Sequence, residues 1–148
     1  MSIRQEGQKI ETLYVGVQPR KVPAPGELKP HGSVYNITAD KIEIFGAPIL
    51  TLVVGNTYRF EIDAPGHPFY VTTDPIGGGA TRNPPMSMTG AIEVPIEERE
   101  SKGNVGIEKG ILVWTPRRDH MEMKLFYQCN FHKYMGNVIN VIEPPNSK

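Results

Sequence analysis

Three metal-ligating side chains, Cys129, His132 and Met135, fall within seven residues near the end of this 148-residue chain, in the run Tyr127-Gln128-Cys129-Asn130-Phe131-His132-Lys133-Tyr134-Met135-Gly136. A thiolate, an imidazole and a thioether on one tight loop suit copper. Magnesium and calcium take oxygen donors, and structural zinc takes four thiolate or imidazole donors. A second imidazole is the missing donor, and His67, in Asp63-Ala64-Pro65-Gly66-His67-Pro68-Phe69, is the candidate for it. Two imidazoles, one thiolate and a weak axial thioether form the donor set of an electron-transfer copper site. Taken singly, these residues mean little: a lone Cys is usually a small core hydrophobe, and a lone loop His usually binds nothing. The joint spacing Cys-x2-His-x2-Met carries the reading.

Strands must hold such a loop, and period-two alternation supplies them. Ile42 and Ile44 alternate with Lys41 and Glu43, and Tyr58, Phe60 and Ile62 alternate with Arg59, Glu61 and Asp63. Met123, Leu125, Tyr127 and Cys129 share one parity, which predicts a strand with the thiol on its inward face. His67, Phe69 and Val71 also share a parity, so both ligand-bearing strands can aim at one buried pole. Gly55-Asn56, Ala64-Pro65-Gly66, Thr115-Pro116 and Gly136-Asn137 are turn signals between these runs. Many short strands separated by Gly and Pro predict an all-β sandwich, and no sustained helical period competes.

The loop resembles the C-terminal ligand loop of the cupredoxins, the small blue copper proteins of the plastocyanin and amicyanin group. Its Cys-x2-His-x2-Met spacing is similar to the short amicyanin loop, and Gly136 followed by Val138-Ile139-Asn140-Val141 resembles that family's closing strand. Leu52-Val53-Val54-Gly55-Asn56-Thr57-Tyr58-Arg59-Phe60 resembles the strand-turn-strand before the family's first His ligand. The similarity spans about residues 41–143, densest at 48–74 and 111–142. The resemblance implies a cupredoxin-like Greek-key β-sandwich over residues 41–148 and a mononuclear type 1 copper site of His67, Cys129, His132 and Met135. It also implies one-electron transfer, with a redox partner protein docking on an apolar rim of Phe131, Tyr134, Pro68 and Phe69 around an exposed edge of His132. One departure stands out. Many cupredoxins carry Asn after the first His as a brace for the Cys loop; here Pro68 takes that position and Asn130 follows the Cys.

Residues 1–40, with Pro19, Pro23, Pro25, Pro30, Gly26 and Gly32, are expected to form an N-terminal arm or irregular wrap, with one early strand near 12–17. Residues 74–110 are expected as a long loop insertion, with Gly77-Gly78-Gly79 as a flexible hairpin tip and 97–102 as a solvated loop, a short helical turn being the alternative there. Met86-Ser87-Met88 and His120-Met121-Glu122-Met123 raise a second thioether-rich copper(I) site, although Met is also ordinary core filler.

The chain has one domain's length, and its formal net charge of zero implies no general attraction to nucleic acid or anionic membrane. Fourteen prolines are about twice the average share, in keeping with a loop-rich β domain. One cysteine permits no internal disulfide. No apolar run reaches the length of a membrane span. Residues 1–9 show no signal core, so the expectation is a removed leader with work outside the cytosol, or a protein made without one, as in a virus particle. No catalytic grouping stands out. The four histidines, His31, His67, His120 and His132, form no His-x-His pair of the kind multicopper oxidases use. The reading is an electron carrier; the alternative is a cupredoxin-like structural or binding module whose metal site is idle or purely structural.

Overall fold

Alternation along the chain becomes strands with one buried face. In Thr57–Asp63, Tyr58, Phe60 and Ile62 point into the core while Arg59 and Glu61 stay half-exposed and pair with each other at 3.0 Å. The structure, a computed structural model, describes residues 9–39, 46–78 and 106–145. Among them the strands are β1 (Ile10–Pro19), β2 (Ser33–Ala39), β3 (Leu50–Val53), β4 (Thr57–Asp63), β5 (Phe69–Thr72), β6 (Lys109–Trp114), β7 (Leu125–Cys129) and β8 (Asn137–Ile142). A 3-10 turn, Arg118–Glu122, precedes β7. No helix among the described residues is long and apolar enough to cross a membrane.

The strands form two mixed four-stranded sheets, one ordered β2-β1-β4-β6 and the other β3-β8-β7-β5. The parallel pairs are β1 with β4 and β3 with β8; the remaining pairings are antiparallel. The expected all-β sandwich is the fold that forms. Its core is a band of aromatic side chains contributed by both sheets. Phe69 stacks on Tyr127 at 5.6 Å between centroids, Tyr35 meets Phe69 edge-on at 5.2 Å, and Phe60 lies 5.6 Å from Phe69. Offset and edge-to-face contacts of this kind add to the apolar area such rings bury.

Two expectations need correction. Residues 1–40 were expected as an arm or irregular wrap with one early strand near 12–17; that strand lies within Ile10–Pro19, which pairs with a second strand, Ser33–Ala39, in the first sheet. Leu13, Val15, Tyr35 and Ile37 fall at alternate positions and reach the core, so only the connection between these strands is irregular. Pro and Gly in that connection mask the strand signal of Ser33–Ala39. Gly77 and Gly78, expected at a flexible hairpin tip, instead lie against the ligand loop: Gly77 bridges Lys133, and the Gly78 amide donates to the Cys129 carbonyl at 2.7 Å. The strand expected around Ile42 and Ile44, the Met86 and Met88 pair, the turn at 97–102 and most of the 74–110 insertion lie outside the described residues.

His120 sits at the end of β7 remote from Cys129. Its Nδ1 accepts the Arg117 amide at 2.8 Å, and its ring meets Trp114 edge-on at 5.4 Å. Burial, aided by Arg117, holds this imidazole below its ordinary pKa of 6.5, so it folds neutral. Unfolded chains release it to the ordinary value. As pH falls from that value toward the folded one, the unfolded state takes up a proton the native state does not, and stability drops in that window. Above it the contribution is complete. Thermal unfolding of metal-free protein between about pH 7.5 and 5 should therefore show a smaller loss in His120→Gln than in wild type. Equal slopes would exclude His120 as a source of the acid sensitivity.

Candidate metal centre

One pairing register builds the site. Phe69 on β5 lies directly opposite Cys129 on β7, and the ladder continues one step beyond the strands, where the Asn130 amide donates to the Pro68 carbonyl at 3.0 Å. Directly opposed residues share a sheet face, and so do residues two apart on one strand. His67, two residues ahead of Phe69 and just before β5 begins, lies at the same end as Cys129, its Nδ1 3.9 Å from the Cys129 Sγ. The Pro68 carbonyl thereby braces the Cys129 loop through backbone. Proline has no amide to offer but keeps its acceptor.

The four expected side chains converge at this end of the sandwich. The Cys129 Sγ lies 3.9 Å from the His67 Nδ1 and 3.5 Å from the His132 Nδ1, and the Met135 Sδ lies 3.2 Å from the His67 Nδ1. The two imidazole rings are 4.7 Å apart between centroids. Among the described residues, His67, Cys129 and His132 are the group able to hold a metal, with ligand atoms all within 4.8 Å of one another. Metal–nitrogen and metal–sulfur bonds of about 2.0–2.3 Å put neighbouring donors roughly 3.3–4 Å apart, so these spacings fit one ion. Cys129 is fully buried and Met135 is 1% exposed, while His132 is exposed and His67 half-buried. The sulfurs face the interior and one imidazole faces water.

Electrostatics favour a neutral His67 and a protonated Cys129 thiol in metal-free protein. Burial, reinforced by the neighbouring His132 ring, lowers the His67 pKa. Burial pushes the Cys129 thiol up, opposed by the Phe131 and His132 amides and by the Tyr35 hydroxyl. A metal must displace that proton to gain the thiolate. The Phe131 amide, 3.4 Å from Sγ, is already aimed at the sulfur.

Several supporting residues escaped the sequence reading. Tyr35, fully buried on β2 of the opposite sheet, donates its hydroxyl to the His67 carbonyl at 2.7 Å, and its backbone amide donates to the Met135 carbonyl at 3.0 Å. One residue thus ties the segments carrying two expected ligands. Gln128, buried, accepts from the Gly136 amide at 3.1 Å and donates to the Asp74 carbonyl at 3.2 Å. The Tyr134 amide donates to the Ile76 carbonyl at 2.7 Å, and Tyr134 itself adopts the left-handed conformation with φ 60°. These contacts link residues far apart in sequence and leave no local pattern by which to find them. Alternation on β2 was the available signal for Tyr35.

Other expectations differ from what forms. Phe131 is 48% exposed, but Phe69 is fully buried in the aromatic core and Pro68 is buried too, so neither belongs to an exposed rim. The reason is the same register: Phe69 opposes Cys129 and must face inward with it. His120 and Met121 pack at the far end of β7 against Trp114 and the core, away from His67, Cys129 and His132. His31 pairs with Glu27 at 2.7 Å on the connection between β1 and β2.

The fold and the site together define a β-sandwich protein with a His-Cys-His group at one pole. The model of the At5g54830-like domain matches residues 11–143, and the chain belongs to that family. No curated protein and no solved structure matches the chain.

Two substitutions test how the pole is built. Tyr35→Phe keeps the ring but removes the hydroxyl bond to the His67 carbonyl; metal-free protein should lose about 1 kcal/mol in denaturant unfolding. A neutral result would show that the clamp is dispensable. At Gly136 an added Cβ would lie 1.5 Å from the Tyr127 carbonyl oxygen. Gly136→Ala must therefore displace backbone, and its cost should reach about 3 kcal/mol or more by the same measurement. A cost under about 1 kcal/mol would mean the loop and β7 separate easily.

Proposed function

We propose that the protein holds one copper ion between His67, Cys129, His132 and Met135 and carries single electrons. The observation that supports this reading is the approach of the Cys129 Sγ, both imidazole Nδ1 atoms and the Met135 Sδ to within 3.2–3.9 Å of a neighbour in the set. Two imidazoles, a thiolate and a weak thioether favour copper over zinc, calcium or magnesium, and the group contains no carboxylate among the described residues. Copper bound here would supply a one-electron couple tuned by the axial sulfur and by hydrogen bonds to the cysteine sulfur. The chain's part is to hold the donors on a braced sheet end, to keep bulk water from Cys129 and Met135, and to present the His132 edge. The exposed Phe131, 6.5 Å from the His132 ring, and the half-buried Tyr134 are the proposed contact region for a redox partner protein. An exposed aromatic beside a solvent-facing ligand makes a short route for an electron, and apolar patches commonly mark contact surfaces. The cupredoxin resemblance of the two sequence segments points the same way.

Loading with Cu(II) tests the proposal. An intense visible sulfur-to-metal charge-transfer band is expected, and Cys129→Ser should abolish it. His67→Ala and His132→Ala should each weaken copper binding by roughly 10-fold or more, since each removes a short bond. Met135→Leu should keep metal and colour while raising the reduction potential, because a weak donor to Cu(II) is lost. Stoichiometric Cu(II) without colour would defeat the reading. Preferential uptake of zinc under copper-replete conditions would move it to a structural metal.

A further inference from the structure

Beside the ligand cluster a cleft of about 650 Å3 opens between the β1–β2 connection and the loop of residues 129–135. Small-molecule sites run from about 300 to 1,000 Å3, so this is room for a ligand of modest size. His67 and His132 both form part of its wall.

The lining carries charge of one predominant sign. Arg20 and Lys133 are the cations of the lining, and Glu27, 2.7 Å from the His31 ring, is its one carboxylate, so two positive charges stand against one negative. The chain as a whole has zero formal net charge, so this excess belongs to the cleft. Arg20 is also held in place: its guanidinium donates to the Val22 carbonyl at 3.4 Å and to the Tyr134 carbonyl. Those bonds use part of a five-donor fork whose shape suits a carboxylate. Pro25 and Phe131 add apolar surface beside the cations.

We propose that this cleft binds a small organic anion, a carboxylate with a compact apolar body. The carboxylate pairs with Arg20 and Lys133, and the body lies against Phe131 and Pro25. The significance of such a ligand for electron transfer rests on the copper reading, because it would sit against the exposed ligand His132. Binding itself needs no metal, so the two ideas can fail separately.

The experiment titrates metal-free, isotope-labelled protein with benzoate, benzyl alcohol and inorganic phosphate while following amide and side-chain NMR shifts. Benzoate should give saturable shifts confined to the cleft wall: Arg20, residues 24–27, residues 31–33 and residues 131–134. Benzyl alcohol, which has the ring without the charge, should bind about tenfold more weakly or less well still, and so should phosphate, which has charge without the ring. Arg20→Gln should weaken benzoate about tenfold. That variant also frees the Tyr134 carbonyl, so a second one guards against loop movement. Glu27→Gln removes the opposing charge without touching that loop and should tighten benzoate. The proposal is overturned if benzyl alcohol or phosphate matches benzoate, if the shifts lie elsewhere, if Arg20→Gln is silent, or if Glu27→Gln fails to tighten binding.

Discussion

The pairing of Phe69 with Cys129 is the constraint on which the rest of the molecule depends. It closes the second sheet at its β5 edge, turns Phe69 into the aromatic core, and turns Cys129 inward beside it. It also carries His67 to the same sheet end through the ladder bond from Asn130 to Pro68. A slip of one residue would send the thiol and the imidazole to opposite faces, because side chains alternate with period two. The stacked pair of Phe69 and Tyr127 resists such a slip, since either ring would leave the core with it. Core packing and site geometry are therefore one interaction.

Around that register the loop of residues 129–135 is held from three directions. Tyr35 reaches across from the first sheet to the His67 and Met135 carbonyls. Gly78 and Ile76 bond the Cys129 carbonyl and the Tyr134 amide from the chain after β5. Gln128 ties Gly136 to Asp74 from within β7. Loop ligands must be locked by their surroundings to keep one geometry, and hydrogen bonds outside the ligand set do that work in metal sites generally. Gly78 allows the close approach, since a Cβ there would sit 2.9 Å from the Lys133 backbone nitrogen. The same loop forms one wall of the cationic cleft, so any ligand in that cleft would act on a braced structure.

The two poles of the sandwich differ in chemistry. At the ligand end, Cys129 and Met135 are buried, His132 is open to water, and Arg20 and Lys133 stand beside it. At the far end of β7, His120 is sealed against Trp114 and caps a 3-10 turn through the Arg117 amide. Imidazole stands open to water in one place and serves as a packed, neutral strut in the other. Burial and the available partners decide which.

Much of this was legible in the residues themselves. The spacing of Cys129, His132 and Met135 marks candidate donors because side chains three apart on a tight loop can reach one point, and the structure brings them together with His67. The parities of Phe69 and Cys129 mark inward faces because strand side chains alternate. An early strand near 12–17 was legible and is β1, but the Pro- and Gly-rich run after Pro19 hid β2, and the place of β1 in the sheet depends on β4, over forty residues away. Sequence by itself determined residue chemistry and local period, because both are properties of neighbours along the chain. Only the tertiary structure decided that Tyr35 clamps the ligand segments, that Phe69 is core and no part of a rim, and that a cationic cleft opens beside His132. Each of those depends on contacts between distant segments, where packing of the whole core selects one arrangement from many with the same local pattern.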